Sequence, residues 1–520
     1  MKRFFLALLL MLVVLGLKAN FLEVKSNQGN ESFVSLVGIV KLNLTNDFPS
    51  GSPIPADIDG DNILEIVFPT FHAKIFAVDP TNLSYEMLIN LSNIHPGSSI
   101  DVQPCVTDID NDCHVEIVLF TWEEYVVAYD YVNRKIDWIY NEINEVTSEQ
   151  NSFSVTNVDD DKFYEIIIFN YDSVYCIDGL NGTLSWKLNL TSFLIDYLNA
   201  SGDIIGYIES KPVIVDYNND KSFDIVVMSG ICVNEEASLF FIILNGTNGK
   251  PIVIKERKVR SLELIRSCNG GDIDGDFVPE IVRENLGIIR IFNISGHVVK
   301  RIELPGEYPF TTGIILGDAD NDSKDEMFCT TWEYAIGIDD NGTIMWKSEI
   351  PWPPWYNVRP ILVDANGDNI LDLVVPSRES LLFFDGLNGT LLEVFNSSDY
   401  MEKPMAIIGT PCAADFDGDG YIEIAFVTGN SVVILKTSGR KFSWYAYAGD
   451  CMGHANALLL VDPRTFSLLR PSPETPTETP EEGQQGSPTA FPDVFLLIII
   501  IAVIIVLSVM ILFKRVLKRL

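Results

Sequence analysis

One ten-residue pattern, Asp-x-Asp-Gly/Asn-Asp-x-x-x-Glu-Ile, returns eight times and constrains the fold of this chain more than any other feature. Its copies begin at Asp57, Asp108, Asn157, Asp216, Asp272, Asp318, Asp364 and Asp415, at separations of 51, 49, 59, 56, 46, 46 and 51 residues. Regular self-similarity of this kind marks a stack or ring of one supersecondary unit, and about 50 residues suits one four-stranded propeller blade. The seventh period shows the unit. A β-rich run enters the acidic loop (359–363), a second leaves it (371–375), a third is 381–384, and a fourth follows the Asn388-Gly389-Thr390 turn. We call these strands A to D. No comparable helical period occurs between the two terminal apolar segments, so residues 33–469 are expected to be nearly all β. Eight repeats imply an all-β, eight-bladed β-propeller, closed into a ring that removes sheet edges. Seven blades with one repeat split across the closure is the alternative.

The loop has the composition of a calcium site. Side-chain oxygens fall at positions 1, 3 and 5, and a further acid at position 9. Alternation by two in a tight loop aims the first three at one centre, where the position-7 carbonyl and the position-9 acid complete a shell of hard oxygens. The expected ligands are Asp57, Asp59, Asp61 and Glu65 in the first copy and Asp108, Asp110, Asp112 and Glu116 in the second. The third offers Asn157, Asp159, Asp161 and Glu165, and the fourth Asp216, Asn218, Asp220 and Asp224. Next come Asp272, Asp274, Asp276 and Glu280, then Asp318, Asp320, Asp322 and Glu326. The last two sets are Asp364, Asn366, Asp368 and Asp372, and Asp415, Asp417, Asp419 and Glu423. Position 4 is Gly60, Asn111, Asp160, Asn219, Gly275, Asn321, Gly367 or Gly418, types that tolerate the left-handed backbone of a sharp bend. Five copies carry four acids and three carry three, so 29 of the chain's 72 acids lie in these loops. Without a cation such clusters repel or take up protons. Several structural calcium ions are therefore expected; metal-free Asx turns are the competing reading, and magnesium is disfavoured by its reluctance to shed water.

At these residues the chain resembles the FG-GAP/VCBS repeat family, the calcium-loop propellers that include the integrin α-subunit head. The resemblance runs from about Pro49 to Val433. It implies that the acidic loops lie on the A–B side of the ring and that ligands meet the opposite face, built from B–C and D–A connections. A second resemblance, to the docking motifs of pyrroloquinoline-quinone propellers, rests on three segments. These are Ala128-Tyr-Asp130 with Lys135 and Trp138, Asp178 with Gly182-Thr183 and Trp186, and Asp339 with Gly342-Thr343 and Trp346. It implies that each Trp packs between blades; no cofactor constellation accompanies it.

On the expected recognition face, Thr121-Trp122-Glu-Glu-Tyr125 and Thr331-Trp332-Glu-Tyr334 occupy B–C turns of copies two and six. Trp352 and Trp355 stand in the D–A link before copy seven, and the longest D–A link is about 190–210. Exposed Trp and Tyr beside acids suit an extracellular protein or glycan ligand; packing of these rings over blade edges is the plainer reading. The five histidines are scattered, and no nucleophile-elbow or zinc-ligand spacing occurs, so no catalytic residue is assigned. A lyase-like propeller enzyme acting on uronate polymers is the runner-up. Its basic funnel would have to draw on Lys255–Arg260, read here as part of the link before copy five. A structural cell-envelope protein is a third possibility.

The ends place this body. Residues 1–19 read as a signal peptide, with a basic start, an apolar run and a small-residue cleavage site near Ala19. Residues 20–470 form the ectodomain, 471–493 a Pro/Thr/Glu-rich stalk, 494–513 a membrane-spanning helix and 514–520 a basic cytoplasmic tail. The expected protein is thus a single-pass cell-surface molecule with its N-terminal side outside. The net charge of −36 excludes nucleic acid as a partner held by bulk electrostatics. Asn43, Asn90, Asn189 and Asn293 are among about a dozen glycosylation sequons. The eight cysteines leave disulfides and buried thiols equally open.

Overall fold

The computed structural model describes residues 32–446 except 94–96, 101–102, 144–151, 160, 203, 209–210, 219–221, 260–266, 307–310, 352–357, 403–404 and 444–445. Eight separate antiparallel sheets follow one another along this stretch, one per repeat. The eight-bladed ring is realised and the seven-bladed alternative is not. In blade 7 strand A (Ile361–Val363) pairs with strand B (Asp372–Ser377), B with C (Ser380–Phe384) and C with D (Leu391–Asn396). The eighth sheet closes the ring with both ends of the body. Its strands A, B and C are Ile407–Ala414, Glu423–Thr428 and Ser431–Lys436, and its fourth strand is the N-terminal segment Ser35–Lys41, in register from Ser35↔Lys436 to Lys41↔Ser431.

The inner strands are apolar on both faces because each sheet is sandwiched between its neighbours. Strand B of blade 1 (Glu65–Pro69), of blade 2 (Glu116–Phe120) and of blade 3 (Glu165–Phe169) is buried at every position. Outer D strands mix exposed and buried residues, as in Lys135–Tyr140.

Tryptophans on the D strands of blades 2, 3 and 6 lock each of those blades to the next. Trp138, Trp186 and Trp346 each donate an indole N–H to a backbone carbonyl of the following blade, Gly179, Gly246 and Gly386, all at 2.7 Å. Each ring also lies over a left-handed glycine of the following C–D turn, Gly182, Gly249 or Gly389, where an added Cβ would come within 2.5 Å of the indole. The expected packing role of these residues is therefore what the fold uses. Asn-Gly-Thr segments serve the same turns, with the Thr N–H donating to the Asn side chain at Thr183, Thr343 and Thr390.

The body is nearly all β, as expected; the long D–A link before the fourth loop adds a helix, α1 (Leu190–Leu198), and an extra strand, Ile204–Ile208. Asn189 caps the helix by accepting from Ser192 N–H, while Asn199 ends it in the left-handed conformation. The nine-residue stretch buries only Leu190 and Leu194, a pattern too short to stand out as a helical period. The Asn189 amide also donates to the Asp172 carboxylate at 2.8 Å. One expectation needs correction: Lys255–Val259 do not form a link but lie on strand D of blade 4 (Pro251–Val259). The described part of that run is therefore divided between the two faces of a strand.

Beyond the eighth blade the chain turns back along strand A of blade 7. Ser438 N–H donates to Ala365, Asp364 N–H to Lys441 and Ser443 N–H to Leu362, and Phe442 bridges Val363. A strands of neighbouring blades touch at five of the eight junctions, between blades 4 and 5, 5 and 6, 6 and 7, 7 and 8, and 8 and 1, so the free edge of strand A faces the axis. Residues 438–443 therefore occupy axial space beside blade 7.

The signal peptide, stalk, spanning helix and tail expected at 1–19, 471–493, 494–513 and 514–520 lie outside the described residues. Among the described residues no helix is long and apolar enough to cross a membrane. Cys176, Cys268, Cys329 and Cys412 are buried thiols on strands, without disulfides.

Candidate metal centre

Each acidic loop joins strand A to strand B, so all eight open on one face of the ring. Their internal geometry is shared. In the first loop Asp57 accepts from Gly60 N–H and Asn62 N–H at 2.8 and 3.0 Å, Asp59 from Asp61 N–H at 3.2 Å, and Asp61 from Ile63 N–H at 2.8 Å. These bonds fix the carboxylates while leaving a second oxygen of Asp59 and Asp61 to turn inward. Positions 4 and 6 both adopt positive φ, 79° and 69° at Gly60 and Asn62. The second bend recurs at Cys113, Phe277, Ser323, Asn369 and Gly420. Only the first was foreseen, because position 6 shows no preference for Gly or Asn.

The position-9 acid begins strand B and faces the loop from below. One of its oxygens accepts from the position-2 backbone N–H in seven loops: Ile58 to Glu65, Ile109 to Glu116, Val158 to Glu165, Ile273 to Glu280, Ala319 to Glu326, Ala365 to Asp372 and Phe416 to Glu423, at 2.8–3.1 Å. The other oxygen is left for the loop centre. In Glu116 and Asp372, only 1% and 0% exposed, that oxygen has no hydrogen-bond partner at all. A buried carboxylate oxygen without a donor is costly unless a cation faces it.

Burial, reinforced by repulsion from the loop aspartates and only partly offset by the backbone hydrogen bond, pushes these acids far above the usual carboxylate range. Glu65, Glu165, Glu326 and Asp372 rise to about 8, Glu116 to about 9 and Glu280 to about 7. Burial also leads at Glu423, but there the Lys436 ammonium offsets it and the value is about 7. Asp59, Asp110, Asp274 and Asp320 are raised as well, by burial first and by neighbouring aspartates second. Metal-free, the clustered carboxylates of loops 1, 2, 3, 5, 6 and 7 are driven toward protonation by burial and by one another.

Asp57, Asp59 and Asp61 bring ligand atoms within 4.8 Å of one another, as do Asp108, Asp110 and Glu116, and Asp159, Asp161 and Glu165. Asp112 and Asp322 keep the position-5 geometry, accepting from His114 N–H and Lys324 N–H. Asp276 and Asp368 do the same for Val278 and Ile370. Asp272, Asp318, Asp364 and Asp415 hold position 1, each accepting from the position-6 N–H. Asn157 and Asn366 direct amide donors to Asp161 and Asp368 rather than outward. In the fourth loop Asp224 is buried and accepts from Gly246 N–H, and Asp216 and Asn218 flank it; Asp220 lies outside the described residues. In the eighth, three of the four ligands, Asp417, Asp419 and Glu423, already share one cation, the Lys436 ammonium. The donor set fits calcium, with carboxylates and carbonyls in flexible loops and no nitrogen or sulfur ligand.

The loops also join blades. Leu64 N–H of blade 1 donates to Phe416 of blade 8, and Tyr164 N–H of blade 3 to Ile109 of blade 2. Between loops 5 and 6 the buried Asp325 accepts from Asp272 N–H at 2.8 Å and returns its own N–H to Asp272 at 2.7 Å. Sequence reasoning missed Asp325, which stands one residue before the position-9 acid, where neighbouring copies are apolar or aromatic.

The aromatic candidates are arranged differently. Trp122 and Trp332 lie in B–C turns of blades 2 and 6, on the face opposite the loops and four blades apart. Trp332 is 37% exposed; Trp122 is half-buried, with its backbone N–H donating to Ser99 while its buried indole N–H has no partner among the described residues. They do not form one site. Trp352 and Trp355 lie outside the described residues.

The ring and its loops define an eight-bladed β-propeller with acidic A–B loops. No protein-family profile matches the chain and no curated protein matches it. Among solved structures it is similar to BamB from Moraxella catarrhalis, at 11% identity over 78% of this chain and 99% of that one, with a TM-score of 0.48. It is also similar to the V. cholerae biofilm matrix protein Bap1, at 12% identity over 79% and 92%, with a TM-score of 0.42. A third is quinohemoprotein alcohol dehydrogenase from Comamonas testosteroni, at 11% identity over 79% and 77%, with a TM-score of 0.49.

Proposed function

We propose that this chain is a calcium-stapled propeller held at the cell surface, whose B–C and D–A face recognises an extracellular protein or glycan. The observation that carries the calcium reading is the buried position-9 carboxyl of the second and seventh loops, with one oxygen bonded to the loop backbone and the other turned, partnerless, toward the loop aspartates. Calcium bound there would supply positive charge at a blade junction, which is a structural task and not a catalytic one.

Recognition belongs to the opposite face because irregularity is concentrated there. Blade 4 extends strands B and C to Asp224–Val233 and Glu236–Leu244, ten and nine residues against five or six in blades 1, 2, 3, 5, 6, 7 and 8. The added strand pairs with the far end of that hairpin and, with α1, presents Ile205 and Tyr197 to solvent. Large exposed apolar side chains on the same face as Trp332 suit contact with a partner. The signal-like residues 1–19 and the apolar 494–513 followed by Lys514, Arg515, Lys518 and Arg519 support attachment to the outer side of a membrane.

The test is a binding array of extracellular-matrix proteins and glycans probed in calcium. Saturable binding that Trp332→Ala or Ile205→Asp weakens at least tenfold, with melting temperature unchanged, is the expected result. Release of unsaturated product from a uronate polymer would replace the recognition reading with an enzymatic one.

A further inference from the structure

The eighth loop is set apart by a residue outside the repeat. In the other blades the strand C residue facing the position-9 acid, or the one directly after that strand, is Asp or Asn. Asp130 pairs with Glu116 and Asp178 with Glu165, while Asp79 ends strand C of blade 1. Asp339 and Asp385 follow it in blades 6 and 7, and Asn245 and Asn293 in blades 4 and 5. The described contacts explain the choice: this side chain caps the C–D turn. Asp79 accepts from Thr81 N–H, Asp130 from Asn133, Asp178 from Asn181, Asp385 from Leu387 and Asn293 from His297.

Blade 8 has no C–D turn, because its fourth strand comes from the N-terminal end of the body. The position is released from capping, and it is Lys436, paired directly with Glu423. Its ammonium lies 2.8 Å from Glu423 Oε1 and 3.3 Å from Asp417 Oδ2, and it donates to Asp419 Oδ2. Tyr421 of the same loop stands over it, 5.7 Å from ring centroid to Nζ, and carries Arg440 on the ring at 4.4 Å. Other described lysines near these loops make different contacts: Lys135 lies 2.6 Å from Asp137 and Lys324 2.5 Å from Asp340, neither of which is a loop ligand, and Lys441 donates to the Asn321 side chain at 2.6 Å and the Asp318 carbonyl at 3.3 Å in the sixth loop.

We infer that Lys436 is the resident cation of the eighth loop, so that the blade closing the ring takes no calcium. This rests on the calcium reading of the other loops. An ion entering the eighth would have to break two charge-assisted hydrogen bonds, to Asp417 and Asp419, and the ion pair to Glu423, and leave a tethered ammonium beside a dication. The tether also keeps the ammonium at high effective concentration whatever the calcium level. Lys436 pairs with Ser35, at the end of the ladder that joins the two ends of the body. Ring closure is thereby independent of calcium, while the remaining blade junctions depend on it.

The experiment counts calcium per chain in the full-length protein and in Lys436→Gln after equilibration in excess calcium and removal of free ion. One additional calcium in the variant is expected. Equal, non-zero counts would overturn the lysine assignment and leave the calcium reading of the other loops standing. No calcium in wild type but one in the variant would uphold the assignment and overturn that reading, and none in either would overturn both. Hydrogen exchange of the wild-type protein in chelator needs no variant. Protection persisting over 35–41 and 423–436 while the strands flanking loops 1 and 2 exchange supports the assignment; simultaneous loss of protection in all of them refutes it.

Discussion

The two faces of this ring obey different rules. On the A–B face one loop is repeated eight times, and where described its aspartates, backbone hydrogen bonds and left-handed bends recur almost residue for residue. On the B–C and D–A face the connections vary more: Trp-bearing turns occur in blades 2 and 6, and a helix and an added strand at blade 4. A feature needed at every blade junction is repeated, whereas a feature that meets a partner is needed once. Under the proposed function, stability belongs to the first face and recognition to the second, and that division can be broken at several points.

The largest effect expected is collective. In metal-free protein the folded position-9 acids hold their protons to about pH 7–9, far above their unfolded value of about 4.5, or near 3.8 for Asp372. The native state therefore binds more protons than the unfolded state between those limits. Stability is fully present below about pH 4.5 and is lost as pH rises through 7–9. Denaturant melts in chelator should show that decline and calcium should abolish it; a metal-free protein steadier at pH 8 than at pH 5.5 would contradict the burial described above.

Next in size is the contrast between two tryptophans. Trp346→Ala empties a buried blade junction and should cost about 3–5 kcal/mol by denaturant melt, while Trp332→Ala, on the open face, should stay within about 0.5 kcal/mol. Equal losses would mean that the open face is as structural as the loop side. Glu116→Gln should change sign with calcium. In calcium it should destabilise by about 2–3 kcal/mol through loss of a ligand, and in chelator at pH 8 it should be neutral or stabilising, because burial already favours an uncharged group there. Smallest is Asn189→Ala, which removes the α1 cap and should cost about 1 kcal/mol; a null result would leave the helix held by Leu190 and Leu194 alone.

How much of this was legible in the sequence follows from the same contrast. Eight copies of one loop expose blade count, strand order and the positions of the clustered acids, since each copy corroborates the rest. The Trp138, Trp186 and Trp346 clamps were readable for that reason too. Features that occur once leave no such signal. The helix at 190–198 spans little more than two turns, the chain's return beside blade 7 depends on contacts distant in sequence, and Asp325 looks like one more acid in an acidic loop. Lys436 was hidden because it is outside the repeat and acquires meaning only when the closure pairs it with Glu423. The Lys255–Val259 run was misplaced because a basic strand on a propeller's outer edge has the composition of a link.

The account stands or falls on whether the acidic loops hold the ring through calcium. The direct test is thermal unfolding of the full chain in excess calcium, in chelator, and after calcium or magnesium is restored. We predict a fall in melting temperature of about 10 °C or more in chelator, full recovery with calcium and little recovery with magnesium. An unchanged melting temperature in chelator would show the loops to be metal-free turns and would contradict the account.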